Sequence, residues 1–103
     1  MTELRAYKDM EPTYGELAEA LKKLNFEDRS YDTHFLFIND EFDAIVLLPL
    51  KHPNAKVHRA HFAGFSMTLE HKGVLEHMFD LGKMIEKTRR QKKKAALLSQ
   101  PIS

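Results

Sequence analysis

Arg29-Ser30-Tyr31-Asp32-Thr33-His34-Phe35-Leu36-Phe37-Ile38 is the stretch whose reading decides the fold. Its second half is aromatic and β-branched, the composition of a strand. Alternation places His34, Leu36 and Ile38 on one face and Thr33, Phe35 and Phe37 on the other. Both faces are apolar behind the histidine, which predicts a central or two-sided strand. Asn39-Asp40-Glu41 supplies turn chemistry, and Phe42 to Leu50 resumes with Ile45-Val46-Leu47-Leu48. The two runs read as a hairpin that stops near Pro49, which cannot donate a ladder hydrogen bond.

Upstream, residues 1–12 form a polar lead-in. Thr13-Tyr14-Gly15-Glu16 has the Thr-x-x-Glu spacing of a capping box. Leu17, Ala20, Leu21 and Leu24 follow at helical spacing, so a first helix is expected. Asn25 sits where a helix ends in a left-handed residue, with Phe26 folding back on its last turn. Downstream, Lys51 to Lys56 is a second turn. Val57 to Phe65 alternates and is read as a third strand, with Gly64 at a bulge or exit. Val74, Leu75, Met78, Leu81, Gly82 and Ile85 form an apolar stripe, predicting a second helix that begins near Leu69–Gly73. Lys87 to Lys94 then holds six cations in eight residues with no apolar stripe, and residues 87–103 are expected to be a basic C-terminal tail.

The plan is therefore α+β: α-β-β-β-α, an antiparallel three-stranded sheet with both helices on one face, and a single domain over residues 13–86. The chain's 103 residues suit one domain. Without cysteine, disulfides and thiolate metal sites are excluded. No run is long enough to span a bilayer and the N-terminus has no apolar signal region, so a cytoplasmic location is the default expectation. Residues 1–50 carry five Lys/Arg against eleven Asp/Glu, a formal −6, and residues 51–103 carry eleven against four, a formal +7. Such a division fits either an anionic partner for the basic half or neutralisation of one half by the other in the fold.

Four stretches resemble the HicA family of small toxins, which are mRNA interferases on a double-stranded-RNA-binding-like fold. Glu16 to Phe26 is similar to the family's first helix with its Leu-Lys-Lys-Leu-Gly-Phe ending. Thr33-His34-Phe35-Leu36-Phe37 lies where the family has Gly-Ser-His before an apolar strand. Leu48-Pro49-Leu50-Lys51-His52 resembles a Val-Pro-x-His segment, and Lys72 to Gly82 a final Lys-Gly-Thr-Leu helix. Asp32 stands where the family has glycine, and the segment between Pro49 and Lys72 is longer than the family's. The resemblance implies RNA as ligand, a HicB-type antitoxin protein as partner, and His34 as catalytic residue with no cofactor. A histidine titrating near neutral pH can move the proton that phosphodiester cleavage requires. Held phosphates need cations, and Arg29, Lys51, His52, Lys56, Arg59, Arg89, Arg90, Lys92, Lys93 and Lys94 are the nucleic-acid-binding candidates. The other readings are a non-catalytic nucleic-acid- or protein-binding domain with His34 structural, and a homodimer pairing through an edge strand in residues 57–65. His58 and His61 would lie on opposite faces of that strand, so no metal site is expected.

Overall fold

The computed structural model describes residues 10–99. It is an α+β fold with a three-stranded antiparallel sheet and, among the described residues, three helices: α1 (Tyr14–Lys23), β1 (Glu27–Asp28), β2 (His34–Asn39), β3 (Ala44–Pro49), α2 (Arg59–His71) and α3 (Asp80–Ser99).

Helix α1 begins with the expected capping box. The Thr13 hydroxyl accepts from the Glu16 N–H at 3.1 Å, and the Glu16 carboxylate accepts from the Thr13 N–H at 2.9 Å. It ends at a Schellman motif, with Phe26 N–H bonded to Leu21 O and Asn25 N–H to Lys22 O. Asn25 takes the left-handed conformation, φ 66°, and Phe26 is buried.

The sheet order is β1-β2-β3, so β2 is central, as its sequence suggests. Register pairs Phe35 with Leu48, Phe37 with Val46 and Asn39 with Ala44. These residues share the inner face, and Phe37, Val46, Leu48 and Ala44 are buried with Leu17, Leu21, Phe62, Leu69, Leu81 and Ile85 from the helices. Buried Asn39 joins the hairpin to α1, donating to Leu24 O at 3.0 Å and accepting from the Phe42 N–H at 3.3 Å. The outer face is not covered by any described element. Ile45 is 61% and Leu47 49% exposed there, so β2 is central without being buried on both sides.

Three expectations are corrected. The third strand is β1, which precedes the hairpin, and residues 57–65 are not a strand. Val57 is buried before the helix, while Phe62, Ser66 and Leu69 repeat at spacings of four and three and form the inward face of α2. Gly64 is helical with open space around it, not a bulge. The helix expected from Leu69–Gly73 is divided in two. Chain direction changes at Gly73, φ 85°, and Asp80 accepts from the His77 N–H at 2.9 Å where α3 begins. Finally, α3 continues through Lys87–Lys94, so the basic segment is helix and not a separate tail. Its Lys, Arg, Gln, Ala and Leu are strong helix formers even without an apolar stripe.

Asn25→Val should lower unfolding stability by about 1–2 kcal/mol, the cost of a left-handed β-branched residue, while Asn25→Gly stays near wild type. Urea titration of both variants checks this.

Candidate nucleic-acid interface and the His34 face

Two separate surfaces hold the residues of interest. The first is the open face of the sheet. His34 stands at its end, half-buried, in line with Leu36 and Ile38 along β2. Tyr31 forms an isolated bridge with His34, their rings 5.6 Å apart, and is itself exposed. The Thr33 hydroxyl lies 2.9 Å from His34 Nδ1. Arg29 N–H bonds Leu36 O, which puts Arg29 beside the same row, but its guanidinium is bonded to Glu27 at 3.0 Å. That bond is the main cause of a raised Arg29 pKa. Leu50 N–H bonds Thr33 O, so Lys51, the next residue, is the cation that the hairpin brings to the His34 end.

The remaining loop candidates lie in the turn and helix start that follow β3. His52 Nδ1 accepts from the Asn54 N–H at 3.1 Å and so closes its own turn. Lys56 makes a backbone bridge with Thr13. Arg59 opens α2, capped by His58, whose Nδ1 accepts from the Ala60 N–H. His58 at the N-cap and His61 in the first turn of α2, not across a strand, bring their ring centroids to 5.9 Å. No group of three or more metal-ligating side chains gathers among the described residues.

The second surface is α3, which packs on α1 through Leu81 and Ile85. Here the charge division of the sequence is resolved in large part within the molecule. Arg89 forks onto Glu16, with Nη2 2.8 Å from Oε1 and Nε on Oε2. Lys92 Nζ reaches Glu19 at 2.7 Å, and Lys23 Nζ donates to the Thr88 hydroxyl at 2.8 Å. Hydrogen bonding from Arg89 is the largest influence on Glu16 and draws its carboxyl from 4.5 to about 2. Lys92 likewise lowers the pKa of Glu19. Arg89 and Lys92 therefore serve the α1–α3 contact.

What is left exposed is ordered. Lys83, Lys87, Arg90 and Lys94 follow one another at spacings of four, three and four residues. On an α-helix this confines them to an arc of roughly 60°, opposite Leu81 and Ile85, over a length of roughly 16 Å. Among the described residues only Arg90 of these four has a carboxylate partner, Glu86 at 3.6 Å. Lys93 lies on the flank of this row. Lys83 and Lys87 are not among the cations the sequence singles out; their 4-3-4 spacing with Arg90 and Lys94 becomes a row because α3 runs from Asp80 to Ser99. His34 and this stripe do not converge: one is on the open sheet face, the other on the helix layer.

The chain matches no family model, no curated protein and no solved structure. No helix among the described residues is long and apolar enough to cross a membrane.

The Glu16 carboxyl has a lower pKa folded than unfolded, so it adds stability that is complete above 4.5 and is lost as pH falls toward 2. Glu16→Gln should therefore lower stability at neutral pH and flatten its dependence across that window. Chemical denaturation at a series of pH values reads both effects.

Proposed function

We propose that the chain is an RNA-binding α+β domain whose affinity comes from the outward face of α3. The observation that supports this reading is the row Lys83, Lys87, Arg90 and Lys94, aligned on one face and directed away from the packed side of the helix. A line of cations on a rigid element meets successive phosphates at once, and each contact gains by releasing condensed counterions without reading sequence. Arg89 and Lys92 contribute indirectly, by fixing α3 on α1. An acidic protein could use the same row, and salt dependence separates the two ligands.

For a single-stranded RNA, replacing Lys83, Lys87 and Lys94 together by Gln should reduce the slope of log affinity against log salt by about 2, from roughly 0.7 per phosphate contact. Arg89→Gln with Lys92→Gln should lower thermal stability and leave that slope unchanged. Filter binding over a salt series decides it, and a wild-type slope in the triple variant counts against RNA.

Ribonuclease chemistry of the HicA-like kind is the second reading, and the contact between the Thr33 hydroxyl and His34 Nδ1 favours it. This contact fixes one ring nitrogen and leaves Nε2 to exchange a proton with a phosphodiester oxygen. Lys51 is the cation available to hold the phosphate there, because Arg29 is already paired with Glu27. A HicB-type antitoxin would then cover the open sheet face. On this reading, induced expression arrests bacterial growth and His34→Ala relieves the arrest at equal soluble level. Identical growth of the two strains would remove catalysis and leave binding by α3 intact.

A further inference from the structure

The two edges of the sheet are built differently. Strand β1 is two residues long, and both are charged, Glu27 and Asp28. Short length and charge are the ordinary protections of an edge strand. Strand β3 has six residues and carries no charge from Ala44 to Pro49. Leu50 N–H bonds Thr33 O, so by alternation Leu48, Val46 and Ala44 turn their backbone groups toward β2. The N–H and C=O groups of Ile45 and Leu47 then point outward, and no described residue bonds their N–H groups. Pro49, next in that outward row, has no N–H to offer.

We propose that β3 pairs antiparallel with β3 of a second copy, across a two-fold axis at Val46, so that Ile45 of each strand lies opposite Leu47 of the other. This register uses both outward N–H groups of each strand in reciprocal pairs. It leaves Pro49 level with Asp43, where φ is 51° and the chain has already left the strand. A register centred on Leu47 would instead set the Pro49 ring against the Ile45 carbonyl and leave that carbonyl without a donor.

Charge selects the same arrangement. The turn at one end of β3 carries Asp40, Glu41 and Asp43, and the chain beyond the other end carries Lys51 and His52. Antiparallel pairing lays the acidic turn of one copy beside Lys51 of the other at both ends, whereas parallel pairing would set like against like. Exposed Ile45 and Leu47 become cross-strand neighbours on the open face. An edge contact of this size falls below the roughly 1,200 Å² of a stable interface, so a concentration-dependent monomer–dimer equilibrium is expected.

The chain has no cysteine, which makes engineered thiols unambiguous. A mixture of Ile45→Cys and Leu47→Cys chains should form intermolecular disulfides faster than either variant alone; equal or slower mixed crosslinking overturns the register. In sedimentation equilibrium the wild type should pass from monomer to dimer with concentration. Leu47→Lys should remain monomeric with an unchanged circular dichroism spectrum. A wild type that is monomeric throughout, or a Leu47→Lys chain that dimerises equally well, overturns the edge pairing. Lys51→Glu should weaken the dimer and Glu41→Lys in the same chain should restore it, and failure of that rescue removes the charge argument.

Discussion

One carboxylate joins the two parts of this molecule. Glu16 closes the capping box at the start of α1 and, with the same oxygens, receives the guanidinium of Arg89 from α3. A capping carboxylate is held rigid by the backbone it serves, so the Arg89 fork closes onto a fixed acceptor with less ordering of the acid. The fork in turn sets the rotation of α3 about its axis. With Leu81 and Ile85 buried on one side and Arg89 tied to α1, the row from Lys83 to Lys94 has to face outward. The candidate binding surface is thus a consequence of how the helix is docked.

That docking also limits what charge can mean here. Clustered lysines and arginines invite an anionic partner as explanation, yet Arg89 and Lys92 have their anions within the fold, on Glu16 and Glu19. Lys22 with Asp28 and Lys72 with Asp43 are looser pairs at 3.8 and 3.9 Å between exposed side chains, where solvent screening leaves little energy. The cations left along the outward face of α3, Lys83, Lys87 and Lys94 unpaired among the described residues and Arg90 beside Glu86, are fewer and better aligned than the composition suggests.

The parts of the fold that were legible in sequence are those with local, redundant signals. Thr13 and Glu16 define a cap by their spacing, Asn25 and Phe26 define the helix end, and the hairpin carries two apolar runs around Asn39-Asp40-Glu41. What was not legible depends on partners distant in sequence. Glu27 and Asp28 pair with Ile38 and Phe37 through backbone alone, so no side-chain pattern announces a strand. Residues 57–65 alternate over a short span, but the helical spacing of Phe62, Ser66 and Leu69 is disguised by a buried serine whose hydroxyl bonds Phe62 O at 2.9 Å. His58 is an unusual cap and gave no boundary signal. The docking of Lys87–Lys94 onto α1 rests on Glu16 and Glu19, whose partners Arg89 and Lys92 are each 73 residues away in the chain. His34 stands out in sequence, but its surroundings, an open apolar face with Tyr31 beside it, follow from register and not from its neighbours in the chain.

The open face and the helix layer bear on each other through the β3 edge. A two-fold at Val46 stands perpendicular to the sheet, because Val46 faces inward in both copies and meets itself on the same side. Both helix layers then lie on one side of a continuous sheet, and both open faces on the other. If α3 binds RNA as proposed, two α3 stripes in one dimer would hold a strand at two points, the second contact being intramolecular once the first has formed. Modest phosphate contacts on each copy would then act with the strength of a pair, and the same dimer would double the apolar face on which the two His34 side chains stand.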